Sequence, residues 1–469
     1  MTLGTLAARV RPGHIAPLVA DRAVAVTLDV LAAAVSGLAH ADVAALRVAV
    51  GPGGDGPASV VGRRAGACAA LAAYLNAAPI AREQWQDGHR RARGHPASHV
   101  VPAVLAVAES VDASGQAALA AVLAGYETGV RIGVAMDGTS PGVHDIGTWA
   151  GVGATVGVTH LLTDGDPAAL ARAVDVAAAL ALLPDAATVF GGHTAQNLLL
   201  PTSVAQAVTN GQAAAAGLQA SPGALERHFA AVAARDPDGF VTRLMGLIDF
   251  RTEDPGDWMV LDGYLKRHPT CALLHGVNDA VEDLVVAEPL CADEICADEI
   301  VSIRVRTYAA AAAFDEPAPQ NELHARFSIP WTVAAGTVLG GLSEAFSPRA
   351  LADPSLLALA ARVYVEHDAA LDPGYPAGRP AVVSVHLRDG RVVSAASRGA
   401  PRGDGPSALD DPTIAAKPVT LLSVGGADWA DEAIAAVSAL TDGGSARDLG
   451  EVLRRADVAP SPGRTRRWR

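Results

Sequence analysis

Asp87, His89, Arg90, Arg91, Arg93, His95 and His99 stand close together between Glu83 and His99, in a chain whose residues are half hydrophobic. One acid, three imidazoles and three guanidiniums at that density suit the handling of an anion. Arginine holds a carboxylate in a fork, while imidazole titrates near neutrality and moves protons. His95 lies between Gly94 and Pro96, which places it more tightly than solvation alone requires. The alternative is a solvated charged loop between helices.

Two further stretches carry chemistry. Gly142-Val143-His144-Asp145 precedes an uncharged helical segment, so His144 either packs at that helix start or brings a second imidazole to the same cavity. Among 36 basic residues only Lys266 and Lys417 are lysine. So arginine-rich a chain keeps lysine by chance, or where a compact, titratable ammonium is useful. Lys266 opens Lys266-Arg-His268-Pro-Thr-Cys271-Ala-Leu-Leu-His275, again a mixture of proton carriers with a proline-fixed helix start. Cys271 is a nucleophile or, more commonly for a lone cysteine, a buried inert thiol.

These residues need a scaffold, and composition constrains it. At 469 residues two domains are expected, and an apolar mass of Ala, Val and Leu with 4% aromatics favours close-packed helices. A formal charge of -14 speaks against a nucleic-acid partner. Four cysteines, Cys68, Cys271, Cys291 and Cys296, form no CxxC pair, and no signal peptide is visible, so a reducing cytoplasm is expected. Between Asp185 and Glu226 no residue is charged, but His193, Gln196, Asn197 and Gln206 interrupt the run, which reads as core or subunit interface and not as a membrane span. No GxGxxG, GxxxxGK[ST], GxSxG, HExxH or cysteine cluster is present, so no nucleotide, metal or other cofactor is implied.

Helical spacing is expected at Asp21 to Leu38, Ala65 to Ala78, Pro102 to Val111 with the proline in its first turn, Leu119 to Val130, and Asp166 to Pro184. The first 262 residues thus read as helix and loop. Period-two alternation follows at Val301 to Thr307, Val363 to Val365, Val382 to Leu387 and Arg391 to Ala395, the last two joined by the turn Asp389-Gly390. A helix from Trp331 to Phe346 separates them, and helices return at Asp428 to Leu440 and Ser445 to Ala456. The repeat Cys291-Ala-Asp-Glu-Ile, Cys296-Ala-Asp-Glu-Ile reads as a duplicated surface connection, and Arg464 to Arg469 as a basic tail.

Taken in order, Asp87-Gly-His89, Gly94-His95-Pro-Ala-Ser, Gly142-Val-His144, Gly147-Thr-Trp149, Lys266, Pro269-Thr-Cys271, His275 and Ala325-Arg-Phe327-Ser-Ile-Pro-Trp331 resemble the MmgE/PrpD family. That family includes 2-methylcitrate dehydratase, cis-aconitate decarboxylase and iminodisuccinate epimerase, and the likeness runs from Leu71 to about Val419. It implies a mostly α protein: a large helical domain from both chain ends, residues 1–262 and 401–469, plus a smaller α+β lid, residues 263–400. It also implies a homodimer with the active site at the domain junction, acting without metal on a small organic acid. By matching positions His95, His144 and Lys266 are expected to line that site, with Asp87 and Cys271 beside them. His95, His144, Lys266 and Asp87 are the expected catalytic residues, with His144 and His95 as general base and acid in either order, and Arg91, Arg93, His89, Gln84, Gln206, Cys271 and His275 are expected around the substrate.

Departures from the family pattern matter too. Its Asp-x-Asp-Asp run is here Gln84-Trp85-Gln86-Asp87, and Gln206 stands where dehydratases and decarboxylases carry lysine before Gly211-Gln-Ala-Ala. The expected chemistry is proton abstraction or delivery next to a carboxylate or carbonyl, with elimination first, then epimerisation or double-bond migration, then decarboxylation. A non-catalytic binding subunit is the alternative from another class.

Overall fold

The computed structural model describes residues 2–51, 54–287, 296–397 and 399–459. The Cys291–Ile295 copy of the repeat and the basic tail lie outside them. The described chain is mostly helical and packs around two separate large apolar cores. One runs from Leu3 to Leu265 and is completed by Ile414 to Ala456; the other draws on residues from Cys271 to Leu387, with Val189 joining it.

Small residues explain how the first core is packed without many aromatics. The helix Gly115–Met136 is capped by Ser114, whose side chain accepts from Ala117 N, and lies against Trp149–Leu162. Gly125 and Gly129 on one meet Gly153 on the other so closely that a Cβ at Gly153 would stand 3.0 Å from Gly129 Cα. Four-residue spacing puts these glycines on one helical face and lets the backbones touch. One turn on, the Trp149 indole fills the space beside Gly133. Gly115–Met136 is also long and apolar enough to cross a membrane by length and composition, and 94% of its apolar window is buried in this core.

The second core backs a four-stranded sheet. Strands β1 (Ala58–Val60) and β2 (Arg63–Ala67) form a hairpin elsewhere, and β3 (Gly88–His89) pairs antiparallel with β4 (Gly263–Tyr264). The sheet itself uses β5 (Ile300–Thr307), β6 (Val363–His367), β7 (Ala381–Leu387) and β8 (Val392–Ala396), in the order β6-β5-β7-β8 with only β5 and β6 parallel. Helices His275–Ala287 and Ile329–Leu339 pack together in this part.

Several expectations need correction. The start of the helix expected from Ala65 is strand β2, and the helix begins at Ala69. Residues 83–99 are not all loop, because β3 ties them to β4. Pro102 lies inside the helix Pro96–Ser110, whose first-turn proline is Pro96. Val301 is exposed although Ile303 and Val305 are buried, because the β5–β7 register shifts between Ile300 and Ser302.

Candidate active site

A cleft of about 790 Å³ opens where residues of the two cores face each other. His95, His144, Asp145, Gln84, Gln86 and Arg93 come to it from the helical side, and Cys271, Phe314, Phe327, Tyr375 and Arg379 from the sheet side.

His95 caps the helix Pro96–Ser110, and its ring is fixed from behind. Nδ1 lies 2.6 Å from the backbone oxygen of Asp87, so Nδ1–H donates there and Nε2 keeps the lone pair. Burial, then the charge of Lys266, holds this imidazole well below its ordinary pKa, so it is neutral at pH 7. Asp87 itself does not line the cleft. Its carboxylate accepts from Ala97 N at 2.9 Å and from Ser98 N at 3.0 Å and Ser98 Oγ at 2.7 Å. It therefore satisfies the free amides at that helix start from ten residues away, and burial raises its pKa to about 6. Asp87, expected among the catalytic residues, is thus a positioning group.

His144 carries a carboxylate beside it. Its Nδ1 is 3.1 Å from Asp145 Oδ1 and its ring meets Phe190 edge-on at 5.2 Å. Burial lowers the His144 pKa, Asp145 opposes that shift, and burial raises the pKa of Asp145. The Asp145 Oδ2 atom is buried without a hydrogen bond. His99 joins the two histidine segments: Nδ1–H donates to His95 O at 2.8 Å, and Nε2 accepts from Gly147 N at 3.1 Å.

Gly94 fits beneath this arrangement only because it has no side chain. A Cβ there would press on the Asp145 carboxylate and stand 2.6 Å from Trp149 Cζ2. Gly94→Ala is expected to destabilise the fold by about 1–3 kcal/mol and to lower turnover by displacing Asp145. Urea unfolding and kcat on the same protein check both effects.

Lys266 is fully buried one layer behind the cleft surface, its Nζ 3.4 Å from Gln84 Oε1. An ammonium only donates, so this contact fixes the Gln84 amide with its oxygen inward. Gln86 Nε2 then faces that oxygen at 3.5 Å, and Gln86 Oε1 is buried without a hydrogen bond. Gln84 adopts φ 59°, an uncommon conformation for a side-chain-bearing residue. Burial lowers the Lys266 pKa to about 8, with Cys271 opposing and Lys417 adding to the shift. The chain's two lysines are neighbours: Lys417 Nζ donates to Lys266 O at 2.9 Å and pairs with buried Asp29. Cys271 lines the cleft, and burial raises its thiol pKa, against activation as a nucleophile.

Four expected substrate contacts lie elsewhere. Arg91 is exposed and 3.9 Å from Asp262. His89 is a buried residue of β3 with Nδ1 accepting from Ala92 N, and its pKa falls to about 3. His275 is buried edge-on to His268 at 5.3 Å, again outside the lining. Gln206 donates to Leu180 O at 2.6 Å, since its face of the helix Leu199–Ala215 turns toward the end of Pro167–Ala179. Arg93 does reach the cleft, with its guanidinium paired to Asp137 at 2.6 Å and 5.4 Å from the Tyr375 ring centre.

Arg379 was not foreseen. It is 4% exposed, lines the cleft, donates to Pro376 O and Gly378 O, and leaves Nε without a hydrogen bond. Among the described residues no carboxylate forms an ion pair with it. Gly378-Arg379-Pro380 repeats the Gly-x-Pro pattern that marks His95, which is the signal that could have found it. Two groups of possible metal donors, His40 with Glu83 and Glu322, and His268 with Asp279 and Glu282, lie outside the cleft lining. Glu322 and Glu282 are already paired with arginines.

A helical core joined to a smaller α+β core, with imidazoles, a carboxylate and a guanidinium facing the cleft between them, suits a protein built for acid–base chemistry on an anion. The MmgE/PrpD N-terminal domain matches residues 1–238 and the MmgE/PrpD C-terminal domain residues 268–442, so the chain belongs to the MmgE/PrpD family. Family membership suggests an enzyme of the dehydratase type. Comparison with curated proteins returns no match.

Proposed function

We propose that the chain is a lyase that removes the proton α to a carboxylate and expels hydroxide, as water, from the neighbouring carbon. The observation that carries this reading is that His144, backed by Asp145, and Gln84 line one cleft, with Lys266 held directly behind the Gln84 amide. Neutral His144 takes the α proton, and Asp145, beside Nδ1, steadies the imidazolium that forms. The electron pair passes through an enolate into the new C=C bond as the β oxygen leaves. Lys266, directly behind the Gln84 amide, stabilises the enolate and gives the leaving oxygen its proton when the substrate displaces that amide from Nζ. The base gains one proton and the acid loses one, and exchange with water restores both. His95, with its Nδ1–H committed to Asp87, accepts a hydrogen bond from the substrate hydroxyl, and Arg379 holds the carboxylate. The two cores act as two domains closing on the substrate, with residues 263–400 as the smaller.

Hydroxy acids supplied as a panel are expected to yield an α,β-unsaturated acid, read as ultraviolet absorbance. The pH profile of kcat/KM has a definite sign. His144 must be neutral, so activity falls below its lowered pKa, under 6.5. Lys266 must be charged, so activity falls above about 8. A flat profile between pH 5 and 10, or no unsaturated product from any hydroxy acid, contradicts the assignment.

A further inference from the structure

Two aromatic clusters line the cleft, and they differ in kind. Around Tyr375 the chain gathers charge: Arg379 lies 5.1 Å and Arg93 5.4 Å from its ring centre, and Tyr308 stacks on it at 4.9 Å. Around Phe190 it gathers none. Phe190 meets Phe314 edge-on at 5.4 Å and Phe327 at 6.4 Å, and among the described residues His144 is the titratable ring in contact with it. Val189, Leu273 and Ala313 continue this wall. Phe190 remains 38% exposed, an unusual state for a phenylalanine that could pack fully against its two neighbours.

Charge and size limit what can fill this space. Among the guanidiniums that line the cleft, Arg93 is neutralised by Asp137 and Arg235 is exposed to solvent, leaving Arg379 as the buried one with no carboxylate paired to it among the described residues. One such group complements one carboxylate. The amides of Gln84 and Gln86 offer hydrogen bonds and no charge. A cleft near 790 Å³ belongs to the range that encloses drug-sized ligands, so a short polycarboxylate would leave the phenylalanine wall facing water.

Building on the acid–base reading above, we propose that the substrate is a monocarboxylate bearing a planar apolar group, held at Arg379 by its carboxylate and against Phe190, Phe314 and Phe327 by that group. His144, at the border of the apolar wall, then faces the carbon joining the two parts. Edge-to-face contacts of the kind already present among these rings accept a further ring or conjugated chain.

Calorimetric binding to the full chain separates this proposal from its parent. The probes are propionate, 3-phenylpropionate and the tricarboxylate tricarballylate. At least tenfold tighter binding of 3-phenylpropionate than of either other acid is expected, and Phe190→Ala and Phe314→Ala are expected to remove that preference while leaving propionate unchanged. Thermal melting of each variant confirms that it folds. Tricarballylate binding as tightly as 3-phenylpropionate, no binding of 3-phenylpropionate, or a preference indifferent to both substitutions overturns the proposal. The acid–base reading fails separately: it predicts exchange of the α proton of bound 3-phenylpropionate or of a hydroxylated relative, whichever probe binds best.

Discussion

Replacing His144 with asparagine is expected to lower kcat by about 10²–10⁴, the loss that accompanies removal of a positioned general base. The effect should fall on kcat more than on KM, because His144 acts on the reacting carbon while Arg379 holds the carboxylate. Asparagine retains a polar group near Asp145, so stability should change little. Asp145→Asn is the companion test: the carboxylate 3.1 Å from Nδ1 stabilises the imidazolium, and its loss should move the acid limb of the pH profile downward. A structural role alone would leave that limb in place.

Lys266→Met is expected to lower kcat by about 10²–10³, as when one group that stabilises transition-state charge is removed. The same change should stabilise the fold. A lysine whose pKa drops from 10.5 to about 8 is charged at pH 7 in a site that disfavours charge, at a cost of up to about 3 kcal/mol. Losing the contact with Gln84 offsets part of that, so a net gain of roughly 1–3 kcal/mol is expected. The direction with pH follows from proton counting. Between about 8 and 10.5 the unfolded chain holds a proton on this lysine that the folded chain has released, so wild-type stability rises with pH through that window. The variant lacks this rise, and its advantage should shrink between pH 7 and pH 10 in urea unfolding. Lower activity with unchanged or reduced stability would mean that Lys266 holds structure and carries no destabilising charge.

The legible parts of the site were those marked by local constraint. Gly94-His95-Pro96 fixes a side chain by its neighbours alone, and the scarcity of lysine pointed to Lys266. Both lysines do lie together beside the cleft, although Lys417 serves through its bond to the Lys266 backbone. What sequence could not resolve was direction. Arg91 and Arg93 are two residues apart, and Arg93 turns inward because its φ is 56° and its amide bonds back to His89 O at 2.8 Å. Gln206 belongs to a helix with several polar positions, and only packing decides which of them meets Leu180.

The fold shows the same division. Period-two runs located β5, β7 and β8, since β5 and β7 bury one face and β8 half-buries one, and Gly390 at φ 89° makes the expected turn after Asp389. Strand β2, Arg63–Ala67, escaped notice because its Arg-Arg-Ala-Gly-Ala sequence has no alternation. The pair β3–β4 is only two residues a side, and its partners are far apart in sequence. Phe190, Phe314 and Arg379 come from three distant segments and meet only in the folded chain.

The most direct measurement follows deuterium at the α carbon. Carboxylic acids that bind the cleft are incubated in deuterated water with wild type, His144→Asn and Lys266→Met, and label is read by NMR. Wild type is expected to incorporate deuterium at that carbon, His144→Asn to lose incorporation by about 10²-fold or more, and Lys266→Met to retain a slower exchange. Exchange that proceeds at the wild-type rate in both variants would contradict the assignment of His144 and Lys266 as the proton-handling pair.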